Sequence, residues 1–136
     1  MCFFVKRIYQ QPDPADGYRL LVDRIWPRGI SRQAAMIDEW MKDIGPSTEL
    51  RQWFNHDASR WTEFRSRYHV ELENRSGLVN AIMLQSGTGP VTLLYSARDT
   101  AHNQAIALAE YLTIMKPLLA INVSCQRSNC AACIER

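Results

Sequence analysis

Val91-Thr92-Leu93-Leu94-Tyr95 is a nearly unbroken apolar run of strand length, and its reading decides the fold. Side chains alternate between the two faces of a strand, so a run apolar at every position belongs where both faces are covered, as in the middle of a parallel sheet. Before it, Ser86-Gly87-Thr88-Gly89-Pro90 is dense in turn residues. After it come a polar loop and then Ala101, Ala105, Leu108, Ala109 and Leu112, whose spacing predicts a helix from Asp99 or Thr100 to about Met115, where Pro117 discourages continuation.

Working outward, residues 3 to 9 and 18 to 24 are short runs rich in β-formers, separated by the turn-rich stretch Gln11 to Gly17. Trp26-Pro27-Arg28-Gly29 ends the second run, since Pro cannot donate to a sheet ladder and Gly opens backbone angles closed to other residues. Ala34, Ile37, Trp40, Met41 and Ile44 form one stripe and predict a helix from Ser31 to Ile44, stopped by Gly45-Pro46. A short helix follows from Ser47 to Asn55 with Ser47 as N-cap. A third starts near Asp57 with Trp61, Phe64, Tyr68 and Leu72 on one face, and a fourth runs from Gly77 to Gln85 with Leu78 and Ile82 inward. Strands separated by helices imply an α/β fold: one small domain, a mostly parallel sheet with helices packed against it. A length of 136 residues with 46% apolar content suits one core. The domain is expected over residues 1–115, with 116–136 a cysteine-containing extension.

No stretch approaches the roughly 18 to 20 apolar residues needed to span a bilayer. The N-terminus lacks the pattern of a secretory signal, so a cytoplasmic location is the expectation. The formal net charge of +2 and a sequence pI near 8.4 fall short of a dedicated nucleic-acid-binding domain, for which a pI above about 9 is usual. Glu63, Arg67, Glu71 and Arg75 recur at four-residue steps and read as a solvated helix face held by weak ion pairs. There is no G-x-S-x-G, no G-x-x-x-x-G-K-[ST] and no G-x-G-x-x-G. No cysteine follows Tyr95 closely, which argues against a thiolate cradled at a helix N-terminus.

In an open parallel sheet, ligands bind beyond the carboxyl ends of the strands. Two loops leave such ends here: Asp23-Arg24-Ile25-Trp26-Pro27-Arg28-Gly29, and Ser96-Ala97-Arg98-Asp99-Thr100-Ala101-His102-Asn103. Neighbouring strands would bring them together. They would then offer Asp23, the guanidiniums of Arg24, Arg28 and Arg98, His102, Asn103 and hydroxyls to an anionic small molecule, with Trp26 and Gly29 also among the ligand-binding residues. In a catalytic reading, as a hydrolase or transferase, Asp23 is the first choice of general base or acid, His102 the second, and Arg28 or Arg98 stabilises developing negative charge. In a structural reading, Asp23 pairs with Arg24 or Arg98 and pins the loops, and His102 is satisfied in the first helical turn. His56, beside Asp57 at a helix boundary, and His69, on a helix beside Tyr68, are weaker catalytic candidates and read more simply as surface or capping residues. A rival of another class is a non-catalytic regulatory or nucleic-acid-binding module. The sequence leaves the oligomeric state undetermined.

The string Asp16-Gly17-Tyr18-Arg19-Leu20-Leu21-Val22-Asp23-Arg24-Ile25-Trp26-Pro27-Arg28-Gly29 resembles the bacterial YeaO-like family, number four-eight-eight in the domain-of-unknown-function series. The segments Pro46 to Arg51, Trp53-Phe54, Val91 to Asp99 and His102-Asn103 share the resemblance. It covers Lys6 to about Leu112 and implies a compact cytoplasmic α/β protein with these loops as its site, and no established reaction. The family's motif residues fall here on Asp23, Arg24, Trp26, Arg28, Gly29, Arg98, His102 and Asn103. Beyond them, Cys125, Cys130 and Cys133 have the spacing of the first three ligands of an iron-sulfur loop or the start of a zinc site. A fourth ligand is missing from the tail, and reducible thiols in a loosely attached segment are the simpler account.

Overall fold

A computed structural model describes residues 3–119. In chain order these form β1 (Phe3–Arg7), β2 (Tyr18–Leu21), α1 (Arg32–Ala35), β3 (Glu39–Trp40), α2 (Thr48–Phe54), α3 (Trp61–Glu73), α4 (Ser76–Ser86), β4 (Val91–Tyr95) and α5 (Gln104–Leu119). The four strands make one wholly parallel sheet in the order β1-β4-β2-β3. The α/β expectation holds, and all five β4 residues are buried. β1 and β2 do not pair with each other: β4 lies between them, with Leu93 opposite both Val5 and Leu20.

The alternation of strand side chains divides the interior. Leu20, Val22, Val91, Leu93 and Tyr95 face the larger core, which is closed by Phe54 of α2, Phe64, Tyr68 and Leu72 of α3, Ile82 of α4, and Leu108 and Leu112 of α5. Leu21, Leu94 and Ile8 face the other way, against Ala35 and the partly buried Trp26, Ile37 and Trp40. The central strand is apolar on both sides because each side has its own cover. On α3, Arg67 pairs with Glu63 in solvent as the spacing reads, whereas Glu71 and Arg75, 3.6 Å apart, are half-buried: Glu71 accepts from the Ser47 amide and hydroxyl, and Arg75, just past the helix, donates to the Gly45 carbonyl.

The single helix expected from Ser31 to Ile44 does not form. Ser31 caps a first turn by accepting from the Ala34 amide, but Met36 then turns left-handed at φ 49°. The Asp38 amide donates to the Arg19 carbonyl, the Arg19 amide donates to the Asp38 carboxylate, and Glu39-Trp40 adds β3 to the sheet edge. The apolar spacing is nevertheless satisfied, because the segment crosses the sheet edge: Ile37 and Trp40 serve the smaller core, Met41 and Ile44 the larger. Sheet hydrogen bonds and apolar burial on two faces outweigh the weak local preference for helix.

α5 also differs from expectation at both ends. Asp99 closes a turn by accepting from the Ala101 and His102 amides, and the helix starts only after Asn103, whose Oδ1 accepts from the Ile106 amide. The helix continues past Pro117 to Leu119.

Gly17, at φ 66°, packs against the β4 entry, and a β-carbon there would overlap the Pro90 carbonyl oxygen that accepts from the Tyr18 amide. Gly17→Ala should lower unfolding stability by about 1–3 kcal/mol, read in a urea titration, because both the left-handed backbone and the overlap count against a side chain.

Candidate functional site

Because β2 and β4 are parallel neighbours, their carboxyl ends lie side by side and the two loops meet. The contact is direct. Ser96 Oγ donates to Asp23 Oδ2 at 2.5 Å, and Gln104 Nε2 donates to Asp23 Oδ1. The Trp40 indole donates to the Asp23 carbonyl at 2.7 Å. Asp23 is 6% exposed. Its burial pushes the carboxyl above the ordinary range, a rise that the Ser96 and Gln104 hydrogen bonds and the nearby Arg51 charge offset only in part. Asp23 thus ties β2 to β4 and α5 through neutral partners, where the structural reading of the sequence had given it Arg24 or Arg98.

Above Asp23 opens a cleft of about 550 Å3 that also draws on Arg24, Trp26, Arg28, His102 and Asn103. Arg24 is engaged by the fold: its guanidinium donates to the carbonyls of Pro46 at 2.9 Å and Gly45 at 2.7 Å, fastening the loop to the turn before α2. Trp26 donates to the Ile30 carbonyl at 2.8 Å and meets Trp40 edge-on at 5.4 Å between centroids. Arg28 reaches the cleft from an exposed loop whose carbonyl at that residue accepts from the Tyr9 hydroxyl at 2.6 Å. Its guanidinium has no partner among the described residues. Gly29 makes the loop's left-handed turn at φ 78° without lining the cleft, and Arg98 is exposed and outside it.

His102 is oriented on two sides. Its Nδ1 lies 2.9 Å from Asp99 Oδ2, and its ring stands edge-on to Trp61 at 5.3 Å. The Ala101 amide and the His102 ring hold the Asp99 carboxyl below its usual range. Asn103 is a buried helix cap, its Nδ2 donating to the Asp99 carbonyl at 2.9 Å while Oδ1 receives Ile106.

The cleft also draws on five polar residues outside the two loops, Arg51, Gln52, Asn55, His56 and Gln104, none of them chosen as a site residue from the sequence. Arg51 lies on α2 beside the inward positions Leu50 and Phe54, and its Nε is buried without a hydrogen-bond partner among the described residues. Asn55 and His56 both take left-handed angles, at φ 46° and 55°. Arg51 had a sequence signal, as the last residue of the Pro46 to Arg51 segment that shares the family resemblance, and Gln104 directly follows the second loop.

The family model described as the inactive DUF488-N3 subclade matches residues 3–129. The chain belongs to the YeaO-like DUF488 family. It is 43% identical over 107 residues to the uncharacterized protein YeaO of Escherichia coli strain K12, covering 79% of this chain and 93% of that one. Identity is also 43% over 108 residues to the uncharacterized proteins Rv3073c of Mycobacterium tuberculosis H37Rv and Mb3100c of Mycobacterium bovis, covering 79% of this chain and 91% of each. No solved structure matches the chain. In this DUF488 member, no group of three His, Cys, Asp or Glu among the described residues could hold a metal ion, and Cys125, Cys130 and Cys133 lie outside those residues. No described helix is long and apolar enough to cross a membrane.

The raised Asp23 carboxyl gives a signed pH effect. The folded chain holds that proton more readily than the unfolded chain, so the stability linked to Asp23 is complete below the ordinary carboxylate range and is lost as pH rises through the raised value. Asp23→Asn, which keeps the shape and removes the buried charge, should melt higher than the parent at neutral pH. The difference should close below about pH 4. Melting curves across that range check it, and a variant that melts lower than the parent at pH 7 would contradict the assignment.

Proposed function

We propose that this DUF488 protein binds a small anion in the cleft beyond the β2 and β4 ends, without turning it over. The observation that carries this reading is Arg51, whose Nε is buried and unpartnered at a cleft where the Arg28 guanidinium is also free of partners among the described residues. A buried N–H without an acceptor costs about 1–3 kcal/mol, and an anion's oxygen supplies that acceptor.

Two points favour binding over catalysis. Both Asp23 oxygens already hold hydrogen bonds, so a proton transfer there would disturb the contact that joins the loops. The matching family model is described as inactive, and that description is carried to this chain. The hydrolase or transferase reading, with Asp23 and His102 as the acid and base, predicts turnover of phosphate or carboxylate esters instead.

Thermal shift against sulfate, phosphate and small carboxylates tests the proposal, paired with an ester-hydrolysis screen. Anions should raise the melting temperature of the parent, and Arg51→Gln should weaken apparent affinity by at least about tenfold, as loss of a charge-assisted hydrogen bond implies. No stabilisation by any anion would overturn the reading, and ester turnover lost in Asp23→Asn would restore the catalytic one.

A further inference from the structure

We infer that the anion is a phosphate monoester, held between Arg28 and Arg51 with His102 and His56 as additional contacts. This rests on the anion-binding reading and narrows its ligand. Arg28 comes from the loop after β2 and Arg51 from α2, so two guanidiniums without described partners belong to different elements of one cleft. One guanidinium fork satisfies a carboxylate's two oxygens and single charge. A second fork calls for a third oxygen and a second charge, which a phosphate monoester carries.

The histidines extend the set of ligand contacts. With Nδ1 of His102 donating to Asp99, Nε2 is the ring nitrogen left for a ligand, accepting from a P–OH when the ring is neutral and donating to a phosphate oxygen when it is doubly protonated, and the Trp61 contact fixes the ring's plane. His56 is more informative. The left-handed Asn55 already ends α2, its amide donating to the Arg51 carbonyl at 2.9 Å, and asparagine tolerates that conformation well. A second consecutive left-handed residue that is not glycine is strained, and here it belongs to the cleft lining.

The remaining space selects an ester over the free ion. A volume of about 550 Å3 lies within the roughly 300–1,000 Å3 of small-molecule pockets. It exceeds what an inorganic anion fills, and Trp26, Phe54 and Phe64 give it apolar wall for an organic group.

Calorimetric titration of the full chain with phenyl phosphate, benzoate and inorganic phosphate tests this. Phenyl phosphate should bind at least tenfold more tightly than benzoate and more tightly than inorganic phosphate. Arg51→Lys, which keeps the charge and loses the fork, should erase most of the preference over benzoate. His56→Gly should retain or raise the melting temperature, since glycine accepts the left-handed angle, while weakening phenyl phosphate severalfold. Benzoate binding as tightly as phenyl phosphate would overturn the phosphate assignment and leave the anion reading standing. Binding of no anion would remove both. Inorganic phosphate binding as tightly as phenyl phosphate would overturn the ester, and unchanged affinity in His56→Gly would remove that residue from the site.

Discussion

Asp16→Ala should cost the fold about 3–5 kcal/mol in urea unfolding at neutral pH, because it strands a buried guanidinium. The Asp16 carboxylate accepts from Arg19 Nη1 at 2.5 Å, from Lys6 Nζ at 3.1 Å and from the Asp13 amide at 3.0 Å. Arg19, only 5% exposed, also donates to the carbonyls of Ala35 and Met36 and so anchors α1 and the approach to β3. Burial works against the Asp16 charge, but the Asp13 amide, Lys6 and Arg19 outweigh it and hold the carboxyl below its ordinary value. The stability it contributes is therefore present above the ordinary carboxylate range and is lost as pH falls through the lowered value, the opposite sign to Asp23. Asp16→Ala should lack that acid-side loss. A variant within about 1 kcal/mol of the parent would show that the cluster is not a brace.

Leu93→Ala should lower stability by about 2–5 kcal/mol, the range for emptying a fully buried leucine site. Leu93 is wholly buried in the larger core and sits in register with Val5 on one side and Leu20 on the other. Both flanking strands hold it from the sides, so the backbone has little freedom to collapse into the space, which favours the upper part of the range. Equilibrium unfolding with an unchanged denaturant slope would measure it, and a loss below about 1 kcal/mol would contradict the placement of β4 at the sheet's centre.

The difference between these regions shows what the chain's residue pattern reveals. Val91 to Tyr95 is legible because burial on both faces leaves an apolar mark at every position. Trp61, Phe64, Tyr68 and Leu72 are legible because one helix meets one core. Ser31 to Ile44 misleads because its apolar residues serve two cores from a segment that crosses the sheet edge, and that division happens to copy helical spacing. At the site, the meeting of the two loops follows from strand adjacency, which a parallel sheet makes readable. The fates of individual arginines do not follow. Arg24, Arg28, Arg51 and Arg98 look alike in sequence, and only tertiary packing fastens the first to backbone carbonyls, brings the second and third to the cleft and leaves the fourth in solvent. His56 was equally hidden, since a left-handed backbone at a residue other than glycine has no compositional signal.

The most direct test of the cleft as an anion site is a nitrogen-15 NMR titration of the full chain with sulfate and then phenyl phosphate, following amide, indole and arginine Nε resonances. The account predicts saturable shifts confined to Asp23 to Arg28, Arg51 to His56, Ser96 and His102 to Gln104, with the Arg51 Nε signal among the largest and α4 unmoved. Shifts scattered over the surface arginines without saturation, or saturable shifts that leave Arg51 untouched, would contradict it.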